Sequence, residues 1–193
     1  MSRVRTRPTR DDTREKLFEA AARVFEERGI GAASIETIAA AAGFTRGAFY
    51  SNFASKDDLI VAMLEDHVER SLEHHRNLLA RHDNLTDFVA ALRATERSRH
   101  DPLGRAPLLH MELILYVARS EKRRPDLARR LRARRKMVTD IVATTAAEVR
   151  DPAWAGALVL ALEDGFRLHR LIDPDSTPAD SFFRAVADLQ KLA

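Results

Sequence analysis

The sequence predicts an all-α protein of about nine helices, a small three-helix head followed by a larger helical body. Three observations predict it. Apolar residues recur at spacings of three and four and never settle into period-two alternation, the pattern of helices packed along one face. Ala, Leu, Arg and Glu, all good helix formers, dominate the chain. Most breaks in the pattern coincide with Gly, Pro or polar clusters.

The elements follow in order. A first helix from about Asp12 to Arg28 carries the stripe Leu17, Ala21, Val24 and Phe25, and Gly29 supplies its stop. Ser34 is an N-cap for a short helix over Ile35 to Ala42, ended by Gly43. Thr45 caps a third, from about Arg46 to Asn52. Ser55-Lys56-Asp57-Asp58 fits the capping pattern of Ser/Thr followed three residues on by an acid. It opens a long fourth helix with Ile60, Leu64, Val68 and Leu72 on one side, ending near His82. Leu85 to Arg97 is a fifth, Asp101 to Gly104 a turn, and Pro107 to Val117 a sixth. Pro125 sits in the first turn of a long helix with Leu127, Leu131, Val138, Ile141 and Val142 inward. Asp151-Pro152 starts the next, which reaches about Ile172 and is apolar nearly all round, so it should be covered on several sides. Pro178 to Leu192 closes the chain.

Composition bounds the function. The 193 residues are 45% hydrophobic and 32% charged, with a net charge of only +3, so overall charge does not send the chain to nucleic acid. Distribution matters more: Arg3, Arg5, Arg7 and Arg10 crowd the first ten residues with no acid among them. The absence of cysteine excludes disulfides, thiolate metal sites and thiol redox sensing. The polar, arginine-rich start has no apolar h-region, so no signal peptide and a cytoplasmic location are expected. The apolar run Ala155 to Leu162 is far too short to span a bilayer, so no membrane partner is expected.

The most informative stretch is Ser34 to Phe53, SIETIAAAAGFTRGAFYSNF. Two short helices joined by a Gly-containing turn make a helix-turn-helix. Ile35 and Ile38 face inward, and Ala39 is small where the helices cross. Gly43 can take the positive φ of a tight turn, while Phe44, Phe49 and Phe53 anchor the second helix. Thr45, Arg46, Gly47, Tyr50, Ser51 and Asn52 remain outward. Gly47 is a poor helix former in an exposed helix, and close approach to a DNA backbone would explain it. Arg46 suits a phosphate or a guanine edge, the hydroxyls of Thr45, Tyr50 and Ser51 suit phosphate, and Asn52 suits a phosphate or an adenine. Lys56 sits where its charge adds to the dipole of the fourth helix.

In order and spacing, Phe-Glu-Glu-Arg-Gly, Ser-Ile-Glu-Thr-Ile-Ala, Ala-Gly-Phe-Thr-Arg-Gly-Ala-Phe-Tyr, Asn-Phe and Ser-Lys-Asp-Asp-Leu resemble the tetracycline-repressor family over residues 12 to 60. Where the family often has a second tyrosine and a histidine, this chain has Ser51 and Asn52. The resemblance implies a transcriptional regulator that is not an enzyme: a basic arm (1–11), a helix-turn-helix DNA-binding domain (12–56) and a helical ligand-binding and dimerisation domain (57–193). It implies phosphate contacts from Ser34 and Thr37, with the remaining DNA contacts at Thr45, Arg46, Gly47, Tyr50, Ser51, Asn52 and Lys56. The partners it implies are a palindromic operator in double-stranded DNA, a second copy paired through the last two helices, and a small-molecule effector that releases the repressor. The fourth helix would line the effector pocket and connect it to the head.

Other features carry competing readings. The arm either reaches a minor groove or phosphates or is a tail kept soluble by charge. The basic run Arg119 to Lys136 is the wet face of an amphipathic helix rather than a second nucleic-acid patch. None of the histidines forms an i, i+4 pair with another, no metal or other cofactor is expected, and core or surface positions suit them. His67, Ser71 and His74 do share one side of the fourth helix. Effector contacts are expected from Leu64, His67, Ser71, Phe88, Leu92, Met111, Leu115, Ile141 and Phe166, an apolar lining with few polar groups that suits a hydrophobic or amphipathic molecule. Glu112 near His110, and Glu163-Asp164 before His169, make no recognisable catalytic constellation. A non-specific architectural DNA binder is the remaining rival, distinguished by affinity that follows salt and ignores sequence.

Overall fold

The computed structural model describes residues 9–82, 84–95, 102–146 and 148–190, and these hold ten helices and no strand. They are α1 (Arg10–Ala32), α2 (Ile35–Ala41), α3 (Arg46–Tyr50), α4 (Lys56–Leu79), α5 (Leu85–Thr95), α6 (Pro102–Arg105), α7 (Pro107–Arg119), α8 (Arg124–Thr145), α9 (Pro152–Ile172) and α10 (Ser181–Gln190). The tenth is α6, a single helical turn where a simple turn was expected, with Leu103 buried beneath it. None of the described helices is long and apolar enough to cross a membrane.

Local chemistry explains most of the ends. α1 begins earlier than its apolar stripe predicts, because Thr9 and Asp12 form a reciprocal capping box. Arg10 and Asp11, expected in the arm, therefore belong to the first turn; Arg3, Arg5 and Arg7 lie outside the described residues. At Gly29 the backbone turns to φ 74°, the expected stop, and one further turn runs on to Ala32. Ser34, Thr45 and Ser55 each accept a hydrogen bond from the backbone N–H three residues on, as their spacing predicts. α9 starts with Asp151 as cap and Pro152 at its first position.

By contacts the chain divides into two compact units, Met1–Leu64 with Pro102–Arg123, and Glu65–Asp101 with Arg124–Ala193. α6 and α7 belong to the first unit, where they pack on α1. The first unit buries Leu17, Phe18, Val24 and Phe25 of α1 with Ile38, Phe49, Phe53, Leu59 and Ile60. In the second, Leu78, Phe88 and Ile141 centre an apolar cluster joined by Leu92 and Met137.

α8 and α9 form the closest-packed helix pair of the second unit, and Gly156 shows why. A Cβ there would lie 3.0 Å from the backbone nitrogen of Thr139 and 3.2 Å from its Cα. Two expectations about these helices fail. Leu131 is exposed rather than inward, because Arg130 takes the buried place and pairs with Glu65. α9 is not covered on several sides within one chain: Gly156 is its one buried residue, while Trp154 is 68% and Ile172 75% exposed.

Gly156→Val is expected to force α8 and α9 apart and lower stability by about 1–3 kcal/mol. Thermal denaturation checks this, and an unchanged Tm would mean the helices separate without cost.

Candidate functional site

The exposed face of α3 is built from its buried one. Gly43 adopts φ 75°, and Phe44 N–H closes the turn on the Ala39 carbonyl at 2.9 Å. Ala39 is buried at the crossing. Phe49, fully buried, stacks with Phe53 at 5.7 Å, and Phe53 with Phe18 of α1 at 5.7 Å. The Arg14 guanidinium lies 4.9 Å from the centroid of Phe53. These anchors fix α3 with Thr45, Arg46, Gly47, Tyr50 and Ser51 exposed; Phe44 and Ile35 are only half-buried.

Arg46 is held from two sides. Its Nη1 lies 2.9 Å from Oε1 of Glu36, on α2, and its Nη2 donates to the Tyr50 hydroxyl at 3.4 Å. The guanidinium also sits 5.4 Å from the centroid of the Tyr50 ring. The Tyr50 hydroxyl, then the Glu36 carboxylate, raise the guanidinium above its ordinary value. Glu36 is lowered chiefly by its own backbone N–H; desolvation opposes this, and Arg46 adds a smaller pull in the same direction as the N–H. Gly47 has open space beside it: an added Cβ would meet only Thr45 Oγ1, at 3.8 Å. Packing within the chain therefore gives no reason for a glycine there.

Of the nine residues expected at DNA, Ser34, Thr45, Arg46, Gly47, Tyr50 and Ser51 are exposed, and Thr37, Asn52 and Lys56 are half-buried. The Ser34 and Thr37 hydroxyls lie 2.9 Å apart. Ser51, Asn52 and Lys56 donate to backbone carbonyls. The Ser51 hydroxyl donates to the Gly47 carbonyl at 3.0 Å, and Asn52 Nδ2 donates to the Ala48 carbonyl at 2.9 Å. The Lys56 ammonium donates to the Ile30 and Ala33 carbonyls at 2.6 and 2.9 Å, clamping the end of α1.

The nine expected effector residues do not gather as one set. Leu64, Met111 and Leu115 fall in the first unit, where Leu64 is core and Leu115 is exposed. In the second unit Phe88, Leu92 and Ile141 meet in the apolar cluster, while His67, Ser71 and Phe166 are half-buried.

A polar cluster missed by sequence reasoning lies in the same unit. Arg134 of α8 pairs with Glu163 at 2.7 Å and Asp164 at 3.2 Å, and Arg167 pairs with Glu163 at 2.6 Å. Burial would raise the Glu163 carboxyl, but the two guanidinium groups outweigh it and hold it below its ordinary value. The Glu163–Arg167 spacing of four was readable as an ion pair; its partner across the helix interface was not. Arg123, Arg130 and Arg134 thus leave the wet face expected of the basic run, pairing with Asp58, Glu65 and Glu163. His75 stands 6.3 Å from Phe88, its Nδ1 bonded to the Ser71 carbonyl, and burial pushes its imidazole down. Among the described residues no group of three or more His, Asp or Glu side chains is placed to hold a metal ion.

Residues 17–63 match the family described as bacterial regulatory proteins, tetR family. The chain is 39% identical over 75 residues to the HTH-type transcriptional regulator TtgR of Pseudomonas putida, a match covering 36% of each chain. The match thus spans little more than a third of that relative's length. Two solved structures share the fold over nearly the whole chain. SmeT of Stenotrophomonas maltophilia, solved with triclosan, aligns over 92% of this chain and 89% of its own, at 23% identity and a TM-score of 0.68. A chain from Saccharomonospora viridis solved with choline aligns over 94% and 96%, at 16% identity and a TM-score of 0.74.

Two substitutions test this geometry. Lys56→Met should strip both clamped carbonyls of their donor and cost about 1.5–3 kcal/mol, read as a lower denaturation midpoint. Burial makes His75 harder to protonate in the folded chain than in the unfolded one, which takes up protons around the ordinary imidazole value of 6.5. Its contribution is therefore present above pH 6.5 and lost as pH falls. His75→Phe should lose less Tm than wild type between neutral and mildly acid pH.

Proposed function

We propose that this chain, whose residues 17–63 carry the helix-turn-helix segment of the tetR family of bacterial regulatory proteins, is a transcriptional repressor. It binds a palindromic operator as a homodimer in the cytoplasm and is released by a small hydrophobic or amphipathic molecule. Residues 12–56 act as the DNA-binding domain, and 57–193 as the effector-binding and dimerising domain.

The observation that carries this reading is the exposed face of α3. Five of the seven positions from Thr45 to Ser51, all but Ala48 and Phe49, are outward and offer hydroxyls and a guanidinium around a glycine that internal packing does not require. A major groove admits a helix, and a glycine there lets the helix backbone approach a phosphate. Arg46 keeps free N–H groups for a guanine edge. Ser34, Thr37 and Tyr50 serve phosphates, and Ser51, Asn52 and Lys56 join them on exchanging their present backbone partners for DNA.

Dimerisation through α9 and α10 is supported by what one chain leaves uncovered. Trp154, Ala161, Leu168 and Ile172 are all exposed at spacings of seven, seven and four, one stripe along α9. A two-fold pair matches an operator whose half-sites lie about 34–36 Å apart. The effector must bind the DNA-incompetent state better, or it releases nothing. In the second unit, Phe88, Leu92 and Ile141 share an apolar cluster, and His67, Ser71 and Phe166 of the same unit are half-buried, a composition that suits an amphipathic molecule. Triclosan with SmeT and choline with the S. viridis chain are two ligands held by proteins of this fold.

The test is fluorescence anisotropy with DNA flanking the chain's own gene and with a scrambled fragment, at low and physiological salt. Sequence-dependent binding is expected, weakened by about 1–3 kcal/mol in Arg46→Ala and also in Tyr50→Ala. Equal affinity for both fragments, lost as salt rises, would replace this reading with non-specific binding.

A further inference from the structure

The feature the DNA-binding reading leaves unexplained is a carboxylate in the middle of the candidate surface. Glu36 stands on α2 between Ser34 and Thr37, 55% exposed, and its partner Arg46 is 63% exposed. An ion pair so open to water contributes little to folding. Facing a polyanion, the same carboxylate also offsets one of the cations that would otherwise neutralise phosphate. A neutral side chain at residue 36 would bind DNA in general more tightly, so the acid must serve something other than affinity.

Resting on that reading, we propose that Glu36 is a specificity-determining residue that positions Arg46 for a base edge and withholds it from phosphates. The geometry states how. One nitrogen of the guanidinium is engaged by Glu36 at 2.9 Å and the other by the Tyr50 hydroxyl at 3.4 Å, with the tyrosine ring 5.4 Å away. These anchors come from two helices, so they set both the direction of the side chain and the plane of its fork. Each terminal nitrogen carries two hydrogens; the Tyr50 hydroxyl takes one from Nη2, while Glu36 holds Nη1 as an ion pair, which leaves hydrogens on both nitrogens. The remaining pair matches the O6 and N7 acceptors of guanine. A freely rotating arginine would find the nearest phosphate on any sequence. A held arginine meets a guanine with its ordering already done, and a wrong base leaves it and Glu36 facing poor partners.

Glu36 has a plainer role open to it, as an acid in the first turn of α2 bonded to its own backbone N–H. That role concerns helix stability, acts alike on every DNA, and leaves the ratio of specific to scrambled affinity where it was. The two roles separate by experiment on the full chain.

Wild type, Glu36→Gln, Arg46→Ala and the double variant are titrated with the fragment bound in the assay above and with its scrambled form, across a salt series. Expected for Glu36→Gln are a several-fold gain on scrambled DNA, a salt slope steeper by about one phosphate, and a ratio of specific to scrambled affinity about tenfold lower. In the Arg46→Ala background the same substitution should leave the ratio unchanged. If wild type discriminates but Glu36→Gln keeps its ratio and slope, even with a lower Tm, this proposal is overturned while the regulator reading stands. If wild type itself does not discriminate, the regulator reading fails and takes this proposal with it.

Discussion

Three consecutive side chains in the first turn of α4 hold the first unit together. Lys56 clamps the carbonyls at the end of α1, Asp57 accepts a hydrogen bond from Tyr116 at 2.9 Å, and Asp58 pairs with Arg123 and with its own cap, Ser55. A helix rotates slightly more than a quarter turn per residue, roughly 100°, so three successive residues reach three directions. One turn therefore ties α4 to α1 on one side and to α7 and its following turn on the other. The packing of α1 against α2, and hence the attitude of α3, depends on where α1 ends. The Lys56 clamp sets that point from residues 23 and 26 positions away in sequence.

The second unit uses charge differently. Arg134, Glu163 and Arg167 form a ladder between α8 and α9, two helices whose backbones approach closely at Gly156. Close approach at one place and a half-buried carboxylate with two cations at another restrict how these helices can slide. A partly buried ion pair of this kind is poor evidence for stability, because desolvation offsets much of the attraction. Its effect is to penalise alternatives: any register that separates Glu163 from its arginines leaves a charge without its partner.

The head was legible because its signals are local. Ser34, Thr45 and Ser55 cap helices three residues ahead, Gly43 takes the positive φ that its turn needs, and Phe49 and Phe53 are buried where the pattern puts them. All of these depend on spacings below five. What could not be read depends on partners far off in the chain. In the chain without DNA, Lys56 serves carbonyls at the end of α1, and Arg130 takes the interior place of Leu131 by meeting Glu65. Helical periodicity does not report such exchanges, since an arginine and a leucine one position apart fit neighbouring faces almost equally well. The Thr9 cap was missed because it precedes the first apolar residue of its helix. Glu36 was missed as a partner for Arg46 because the two belong to different helices, ten positions apart.

The uncovered stripe on α9 has an optical consequence. The chain contains one tryptophan, and it is Trp154, at the head of that stripe. An indole in water relaxes its surroundings after excitation and emits at long wavelength; an indole under apolar cover emits further to the blue. Every photon of tryptophan emission from this protein thus originates on an apolar face that a single chain leaves bare. Its colour reports, without label or mutation, whether something has come to lie over α9.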